Sequence, residues 1–312
     1  CPFNCSFCVH EKNRQYRPRS IENIMAEIKQ TYEQYQFNIL IIVDELFAVN
    51  KERMREFCNA ILDGKAKYGL DFDWMFQTHA NAKLDMEVMR LAKQAGCYFF
   101  SYGLESASPT VLASMNKKTQ PAQIAEAIGI ADALNIGFGG NFIFGDPAEN
   151  EGTIVESLAF YFQHCVARHC PIMQVMPYPG SKLFIDLVAK QVITDKADYY
   201  EHINERWYNM TAVPDQILYH WNYLLQFIDR TWLGVALAEF LSLEVDNVSN
   251  PITDFYGQSF YTIRARCPYC HGEFGFKQLL PRVLTEEPQT FGAACQNCNK
   301  RVKITVKKEG VN

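Results

Sequence analysis

The strongest constraint on the fold of this chain is a regular alternation of helical and strand patterns. Helical patterns follow capping residues such as Ser20, Asn50 and Asp85, and short apolar runs come between them. These runs predict five strands, at residues 38–43, 72–77, 97–102, 138–144 and 172–176. The continuous apolar run at 38–43 is typical of a buried strand. Strands that alternate with helices at this spacing form a parallel sheet with right-handed crossovers.

The chain divides into three parts. Residues 1–190 predict an α/β fold, a partial (β/α)6 TIM-like barrel whose first strand is missing, because the first cysteines lie where the loop after one further, upstream strand would be. Residues 191–247 predict a helical cover for the barrel, with one long helical pattern from Pro214 to about Leu243. Residues 260–306 contain short strand patterns and paired cysteines, and they predict a separate small module.

The composition narrows the class of protein. The formal net charge of -5 argues against general nucleic-acid binding, which needs a basic surface. One cationic cluster is predicted to be a solvated tail, and it comprises Lys300, Arg301, Lys303, Lys307 and Lys308. No apolar run approaches the roughly 20 residues that span a bilayer, and no signal-peptide pattern is present. We therefore expect a cytoplasmic protein with neither membrane nor nucleic-acid partners.

Three of the eleven cysteines are closely spaced at the start of the chain. Cys1, Cys5 and Cys8 follow the pattern C-x3-C-x2-C. Three thiolates on one loop can bind three irons of a 4Fe-4S cluster and leave the fourth iron without a protein ligand. The alternatives are a zinc site, for which His10 is the local candidate for a fourth ligand, and a group of buried thiols.

Further polar residues follow the predicted strands. In parallel α/β sheets, the chemistry gathers in the loops beyond the carboxyl ends of the strands. The residues that fall there are Asp44, Glu45, His79, Glu105, Ser106, 145–149 and 177–180. We expect these loops to complete a site with the cysteine loop.

The cysteine loop, CPFNCSFCVH, resembles that of the radical S-adenosylmethionine (radical SAM) superfamily. The resemblance continues over residues 1–190, through the segments IIVDELF, GLES, FIFGDPAE and MPYPGS. It implies that the open iron binds the amino and carboxylate groups of S-adenosylmethionine. It also implies that an electron from the cluster splits the sulfonium bond and forms a 5'-deoxyadenosyl radical. Phe7, the aromatic residue before the third cysteine, is similar to the family residue that lies against the adenine.

The same resemblance implies roles for residues at the strand ends. Asp44 and Glu45 match a segment whose polar residues meet the amino group of the methionine moiety, and a carboxylate can pair with that ammonium. Glu105 and Ser106 match a segment that contacts the ribose hydroxyls and the methionyl group. Gly145 matches a glycine that lets the backbone approach the adenine.

Other positions match the family pattern less closely. Ala148 and Asn150 replace the commoner glycine and threonine in the segment after the fifth strand of the family. Tyr178 lies in a segment that resembles the turn after the sixth strand, and a plain proline-rich turn is the alternative. His79 stands where many relatives carry arginine. It is predicted to bind the carboxylate of S-adenosylmethionine, to donate a proton or to face an upstream domain.

Two C-x2-C pairs near the end of the chain predict a second metal site. Cys267 with Cys270 and Cys295 with Cys298 are separated by 24 residues, a spacing typical of a zinc ribbon. Zinc is the predicted metal, and the alternatives are a rubredoxin-like iron and an auxiliary iron-sulfur cluster. The remaining cysteines are predicted to be buried core thiols, namely Cys58, Cys97, Cys165 and Cys170.

The motifs most resemble the radical SAM subgroup whose catalytic domain follows a cobalamin-binding domain. Since the sequence begins at Cys1 without a methionine, we expect such a domain upstream. The resemblance implies cobalamin-dependent methyl transfer to an unactivated centre of a small-molecule or peptide substrate, with a low-potential electron donor. A methylthiotransferase and a ring-forming or rearranging enzyme are the alternatives within the superfamily. An inactive scaffold whose zinc ribbon binds a partner is the alternative from another class.

Overall fold

The computed structural model describes residues 1–9, 16–79, 82–205, 207–246, 260–279 and 288–306. His10, Lys307 and Lys308, which enter the predictions above, lie outside the described residues. The chain forms two compact units, one comprising Cys1–His164 and Cys170–Thr231 and the other comprising Cys165–His169 and Trp232–Asn312. Within the described ranges, no helix is long and apolar enough to cross a membrane.

Helices and strands alternate in the first unit, as the sequence predicts. The helices are α1 (Ile21–Tyr35), α2 (Lys51–Tyr68), α3 (Met86–Gln94), α4 (Pro109–Ser114), α5 (Pro121–Leu134), α6 (Glu151–Phe160), α7 (Lys182–Ala189), α8 (Lys196–Glu201) and α9 (Asp215–Thr231). The strands are β1 (Ile39–Ile41), β2 (Asp73–Thr78), β3 (Cys97–Tyr102), β4 (Gly137–Gly139), β5 (Phe142–Phe144) and β6 (Ile172–Gln174). The side chains of Ser20, Asn50 and Asp85 accept main-chain hydrogen bonds in the first turns of α1, α2 and α3, so these predicted caps are confirmed.

The strands of this unit pair in parallel, which confirms the predicted α/β class. Four strands form a sheet in the order β1-β2-β3-β4, and β5 pairs separately with β6. A parallel bridge between Glu105 and Phe142 links the segment after β3 to β5. Trp74, Phe76 and Phe100 are buried in the core and pack ring to ring. Because each pairing is parallel, the carboxyl ends of these strands lie at one edge.

The strand predicted at 138–144 is two strands, since the chain changes partner at Gly140 and Asn141. A Cβ at Gly140 would lie 2.1 Å from the main-chain oxygen of Tyr102, so no other residue fits there without movement of the backbone. The oxygen of Asn141 accepts a hydrogen bond from Glu105 N–H at 2.8 Å. The break at Gly140 and Asn141 therefore ends the pairing of β4 with β3 and brings β5 beside Glu105.

The strand predicted at 38–43 is present at Ile39–Ile41, but the prediction that it is buried is wrong. Ile39 and Ile41 are 49% and 56% exposed, and Val43, which lies after the strand, is 87% exposed. β1 lies at the edge of the four-stranded sheet and, among the described strands, pairs with β2 alone. An edge strand has neighbours on one side, and this position accounts for the exposure of its apolar side chains.

The second unit consists of short antiparallel strands over its described residues. They are β7 (Glu239–Asp246), β8 (Phe260–Arg266), β9 (Glu273–Leu279), β10 (Gln289–Ala294) and β11 (Arg301–Val306). β7, β8 and β9 form one sheet, and β10 and β11 form a hairpin. Ile263, Phe274, Val302 and Ile304 belong to the small core of the unit.

The prediction of one long helix from Pro214 to about Leu243 is wrong at its C-terminal end. Helix α9 ends at Thr231, and the residues from Glu239 onward pair with β8 instead. Trp232 and Gly234 have positive φ angles of 51° and 83°, which interrupt the helical backbone. The part of the predicted helical cover after Thr231 therefore belongs to the compact unit that contains the paired cysteines.

Candidate functional site

The cysteine loop at the start of the chain is held in place by two helices. Ser6 donates its N–H to the main-chain oxygen of Met115, the C-cap residue directly after α4, at 2.9 Å. The oxygen of Ser6 accepts a hydrogen bond from Leu183 N–H, in the first turn of α7, at 3.1 Å. Asn116 Nδ2 donates to the oxygen of Asn4 at 2.8 Å. A residue between Cys5 and Cys8 is thus fixed on both sides.

The three cysteines of this loop differ in exposure. Cys1 is exposed, Cys8 is partly exposed and Cys5 is buried. Burial raises the pKa of the Cys5 and Cys8 thiols, so a positively charged centre is needed to keep them ionised at neutral pH. Among the described residues, the sulfur atoms of Cys1, Cys5 and Cys8 do not all lie within 4.8 Å of one another. A 4Fe-4S cluster bonds each thiolate to a separate iron.

Glu105, which follows β3, has a strained backbone conformation. Its φ is 64°, in the left-handed region that costs free energy for a residue other than glycine. Its N–H donates to Asn141 and its oxygen accepts from Ile143 N–H, both at 2.8 Å, and these bonds fix the residue between β3 and β5. Its Oε1 atom lies 2.8 Å from the ammonium of Lys117. The structure thus holds a charged, buried carboxylate at the carboxyl ends of the strands.

The sequence prediction missed Lys117, which completes this arrangement together with Gly103 of the GLES segment. Lys117 follows α4, and its positive charge acts on Cys5. A Cβ at Gly103 would lie 2.5 Å from both Glu105 Oε1 and Lys117 Nζ, so the ion pair occupies space that a side chain would fill. The sequence signal was the glycine two residues before Glu105. No local pattern marks Lys117, because its burial arises from the packing of α4 on the cysteine loop.

His79 is buried and stacks on Phe3 of the cysteine loop. The ring centroids are 4.0 Å apart with an interplanar angle of 19°, and Nε2 lies 3.5 Å from the hydroxyl of Thr119. Burial, together with the positive charge of Lys117, lowers the pKa of His79 to about 3. The structure places the His79 ring inward, against the cysteine loop, and the roles predicted for His79 stay predictions.

The neighbouring acids Glu45 and Asp44 lie in different surroundings. Glu45 is exposed, and its Oε2 atom lies 3.7 Å from the main-chain nitrogen of Cys1. Asp44 lines a cavity of about 440 Å³ together with Tyr16 and Arg53. Burial raises the pKa of Tyr16, and the charge of Asp44 acts in the same direction. The structure brings Glu45 to the cysteine loop, whereas Asp44 faces the cavity beside β1.

The hydroxyl of Ser106 is engaged within the protein. Ser106 Oγ lies 3.0 Å from Ser157 Oγ in α6, and it accepts a hydrogen bond from Ser108 N–H at 3.1 Å. The N–H of Ala107 donates to Ser157 Oγ at 3.2 Å. These bonds tie the start of α4 to α6. The predicted contact of Ser106 with a ribose stays a prediction, and the structure adds a supporting role for this hydroxyl.

The loop after β5 contains two buried acids. Gly145 has a φ of 104°, and its N–H donates to Glu149 Oε2 at 2.5 Å. Asp146 Oδ2 and Glu149 Oε1 are buried without a hydrogen-bond partner among the described residues. Burial raises the pKa of Glu149 to about 7, and it also raises the pKa of Asp146. Glu149 therefore holds the backbone of Gly145, a role that the sequence prediction missed because it depends on burial.

The turn after β6 adjoins the cysteine loop. A Cβ at Gly180 would lie 3.4 Å from Val9 Cγ1, which is van der Waals contact. Tyr178 is exposed in this turn, and the hydroxyl of Tyr199 donates to the oxygen of Pro177 at 2.8 Å. Phe7 is partly buried in the cysteine loop. The structure thus places Tyr178 and Phe7 on neighbouring segments.

The four cysteines of the second unit lie together. Cys267 Sγ is 3.6 Å from Cys298 Sγ, and Cys270 Sγ is 3.7 Å from Cys295 Sγ. All four sulfur atoms lie within 4.8 Å of one another. A tetrahedron of sulfur atoms at the zinc-sulfur distance has edges of about 3.8 Å, so the spacing fits one zinc ion. Burial raises the pKa of Cys295 and Cys298, and a bound cation would be needed to hold all four as thiolates.

The fold and the first site define an α/β protein with parallel strands and a three-cysteine loop near the carboxyl ends of those strands. The family model for the radical SAM superfamily matches residues 1–161, more than half of the chain. The chain therefore belongs to the radical SAM superfamily, as the cysteine loop predicts.

Curated relatives come from archaea and bacteria. An uncharacterized methyltransferase of Pyrococcus horikoshii is 27% identical over 62% of this chain and 41% of the relative. An anaerobic magnesium-protoporphyrin IX monomethyl ester cyclase of Cereibacter sphaeroides is 29% identical over 64% of this chain and 32% of the relative. A bacteriochlorophyllide d C-12(1)-methyltransferase of Chlorobaculum tepidum is 27% identical over 66% of this chain and 45% of the relative. The chain spans less than half of the length of each.

Two solved structures share the fold. The radical SAM methyltransferase TsrM from Kitasatospora setae, with cobalamin and a 4Fe-4S cluster bound, has a TM-score of 0.56 at 16% identity, over 62% of this chain and 36% of that chain. The cobalamin-dependent radical SAM enzyme OxsB, with aqua-cobalamin bound, has a TM-score of 0.51 at 17% identity, over 61% of this chain and 34% of that chain. Both likenesses concern the fold.

The raised pKa of Glu149 predicts a specific pH dependence of stability. The folded protein holds the proton up to a pH of about 7, whereas the unfolded chain releases it near 4.5. Between these values the folded state binds more protons, so stability falls as the pH rises through this window. Between pH 5 and pH 8, the free energy of unfolding of the wild-type protein should fall by roughly 2 kcal/mol relative to that of Glu149→Gln. Urea unfolding followed by circular dichroism measures this difference, and parallel pH profiles for the two proteins would contradict it.

Proposed function

We propose that this chain is the catalytic part of a radical SAM enzyme, which cleaves S-adenosylmethionine reductively at a 4Fe-4S cluster. The observation that carries the proposal is the position of the cysteine loop, which α4 and α7 hold against the buried Glu105 carboxylate. When bound, the cluster supplies the electron that splits the sulfonium bond and yields the 5'-deoxyadenosyl radical. Membership of the radical SAM superfamily supports this activity.

The residues of the first site have distinct proposed roles. Cys1, Cys5 and Cys8 hold the cluster and leave one iron for the methionine end of S-adenosylmethionine. Glu105 uses one carboxylate oxygen for Lys117, and its second oxygen can accept hydrogen bonds from ribose hydroxyls or an ammonium. Glu45, exposed beside Cys1, is suited to pair with the ammonium of the methionine moiety of S-adenosylmethionine.

The loops around this centre are proposed to bind the rest of the nucleoside. Gly145 presents its backbone at the end of β5, and Glu149 keeps this backbone in the left-handed conformation by accepting its N–H. Phe7 offers an apolar ring for the adenine from the cysteine loop. Tyr178 lies on the adjoining turn, where it can help to cover the bound cofactor and exclude water.

The reaction that we propose is cobalamin-dependent methyl transfer to an unactivated centre. Two of the three curated relatives described above are named as methyltransferases, and two enzymes of the same fold have been solved with cobalamin bound. Cobalamin would bind outside this chain, in a separate domain. The relative from Pyrococcus horikoshii is long enough to contain such a domain, because this chain matches 41% of its length. The substrate would be a small molecule or a peptide, and a low-potential electron donor would reduce the cluster.

Ring formation is the second candidate reaction. The relative from Cereibacter sphaeroides, which is 29% identical, is named as a cyclase. A relative of Methanocaldococcus jannaschii that is named as a methylthiotransferase is 26% identical over 48% of this chain, and it favours a third reaction of the same superfamily. All three reactions would use the same cysteine loop, so they differ in what approaches the radical rather than in how it forms.

We also propose that the four cysteines of the second unit hold a structural zinc ion. Four protein ligands close a tetrahedral site and leave no position for a substrate. The N–H of Tyr269 lies 3.4 Å from Cys267 Sγ, and a hydrogen bond of this kind stabilises a metal-bound thiolate. The small core of this unit is consistent with a fold that depends on its metal. Iron in the same site is the alternative.

Loss of one cysteine of the loop should abolish the radical chemistry. Cys5→Ala removes a buried ligand, and Cys58→Ala, in the core of α2, is the matched control. After anaerobic reconstitution, we expect wild type and Cys58→Ala to bind the cluster and to form 5'-deoxyadenosine when S-adenosylmethionine and a reductant are added. Cys5→Ala should lose most of its iron and form no nucleoside. Full-length, cluster-loaded wild-type protein that forms no 5'-deoxyadenosine would refute the enzyme proposal and favour the inactive scaffold.

Metal analysis distinguishes the two candidates for the second site. We expect one zinc per chain in the purified protein and its loss in Cys298→Ser, because three thiolates bind zinc far less tightly than four. Cys170→Ser, which changes a buried cysteine outside the group, should keep the zinc. Iron in place of zinc at this site, shown by retention of iron after the loop cysteines are changed, would overturn the assignment.

A further inference from the structure

Lys117 is a buried cation that the roles proposed above do not explain. Its side chain is 6% exposed, and its ammonium lies 2.8 Å from Glu105 Oε1. An ammonium has three N–H donors, and among the described residues Glu105 accepts the one hydrogen bond that this ammonium makes. Lysine is almost never fully buried unless it is paired, and burial of the pair carries a cost in desolvation.

The turn that carries Lys117 is the same turn that supports the cysteine loop. Met115 and Asn116, which precede it, bond to Ser6 and Asn4 of the loop. Asn116 has a positive φ of 52°, and this left-handed residue ends α4 and begins the segment of Lys117. The cation and the cysteines are therefore held by one short stretch of backbone.

The hydrogen bonds of this turn place Lys117 beside the cysteine loop. Ser6, whose N–H donates to the oxygen of Met115, directly follows Cys5 and lies two residues before Cys8, and Lys117 lies two residues after Met115. Glu105 is held at the same place by its ion pair with Lys117.

We infer that Lys117 is a positioning residue that holds Glu105 in its strained conformation and raises the reduction potential of the cluster bound by Cys5 and Cys8. The inference rests on the proposed function, because it requires that cluster. It goes further than that function because it names Lys117 as the residue whose charge favours reduction of the cluster beside the buried carboxylate of Glu105.

The physical reason is the charge that reduction adds. The low-potential donor gives one electron to a centre that already carries the negative charges of three thiolates. A nearby negative charge makes this step less favourable, and a nearby positive charge makes it more favourable. Glu105 by itself would oppose reduction, and the ammonium of Lys117 offsets this effect. Because both groups are buried, solvent and salt screen their charges only weakly.

The space around the pair supports a fixed geometry. A Cβ at Gly103 would lie 2.5 Å from both Glu105 Oε1 and Lys117 Nζ. Gly103 does not have a positive φ, so the missing side chain, rather than backbone freedom, is what the pair requires. The ammonium is therefore confined beside Glu105 and the backbone of Gly103.

The test is the midpoint reduction potential of the cluster in matched variants. They are Lys117→Met, Lys117→Arg, Glu105→Gln, the double variant Lys117→Met/Glu105→Gln, and Lys118→Met, which changes the adjacent, exposed lysine. Each protein is reconstituted anaerobically, its iron content is compared with wild type, and a redox titration is followed by EPR spectroscopy. We expect a more negative potential in Lys117→Met and a less negative potential in Glu105→Gln. The double variant should lie between them, and Lys117→Arg and Lys118→Met should stay close to wild type.

Equal potentials in Lys117→Met and wild type, with equal iron contents, would overturn the inference. If Lys117→Met does not bind the cluster, the double variant Lys117→Met/Glu105→Gln provides the test instead, because neither of its two changed side chains carries a charge. A more negative potential in the double variant than in Glu105→Gln supports the inference, and equal potentials overturn it. Wild-type protein that binds no cluster contradicts the proposed function itself, so the two failures are distinguishable.

Discussion

The proposed chemistry depends on the main-chain hydrogen bonds that hold the cysteine loop between α4 and α7. Ser6 donates to Met115 and accepts from Leu183, so the stretch between two proposed iron ligands is fixed from both sides. These bonds do not depend on side-chain identity, and the position of the loop follows from how the helices pack. The charged pair of Glu105 and Lys117 is placed against the loop by the same helix end.

Much of the secondary structure of the first unit could be predicted from the sequence, because caps and apolar periodicity are local signals. Strand β3 occupies Cys97–Tyr102, as predicted, and Asn50 and Asp85 open their helices. The break at Gly140 could not be predicted, since it depends on the oxygen of Tyr102 in another strand. The early end of α9 likewise depends on the pairing of β7 with β8, which is remote in sequence from the helix.

The candidate site was predicted in outline. Glu105 and Glu45 follow strands whose carboxyl ends share one edge, and the structure places both near the cysteine loop. Lys117 was missed, and so was the role of Glu149 in the FIFGDPAE segment, because both depend on burial: each residue is nearly inaccessible in the fold. Ser106 and His79 show the reverse case, in which a suggestive residue is engaged inside the protein.

The central claim is that the loop of Cys1, Cys5 and Cys8 holds a cluster with one iron open to S-adenosylmethionine. The most direct test is the EPR spectrum of the reduced, reconstituted protein before and after a non-cleavable analogue of S-adenosylmethionine is added. The analogue prevents turnover. Binding at the open iron changes the electronic environment of the cluster, so the account predicts a changed spectrum with the analogue. An identical spectrum at saturating analogue, from protein with a full cluster, would contradict it.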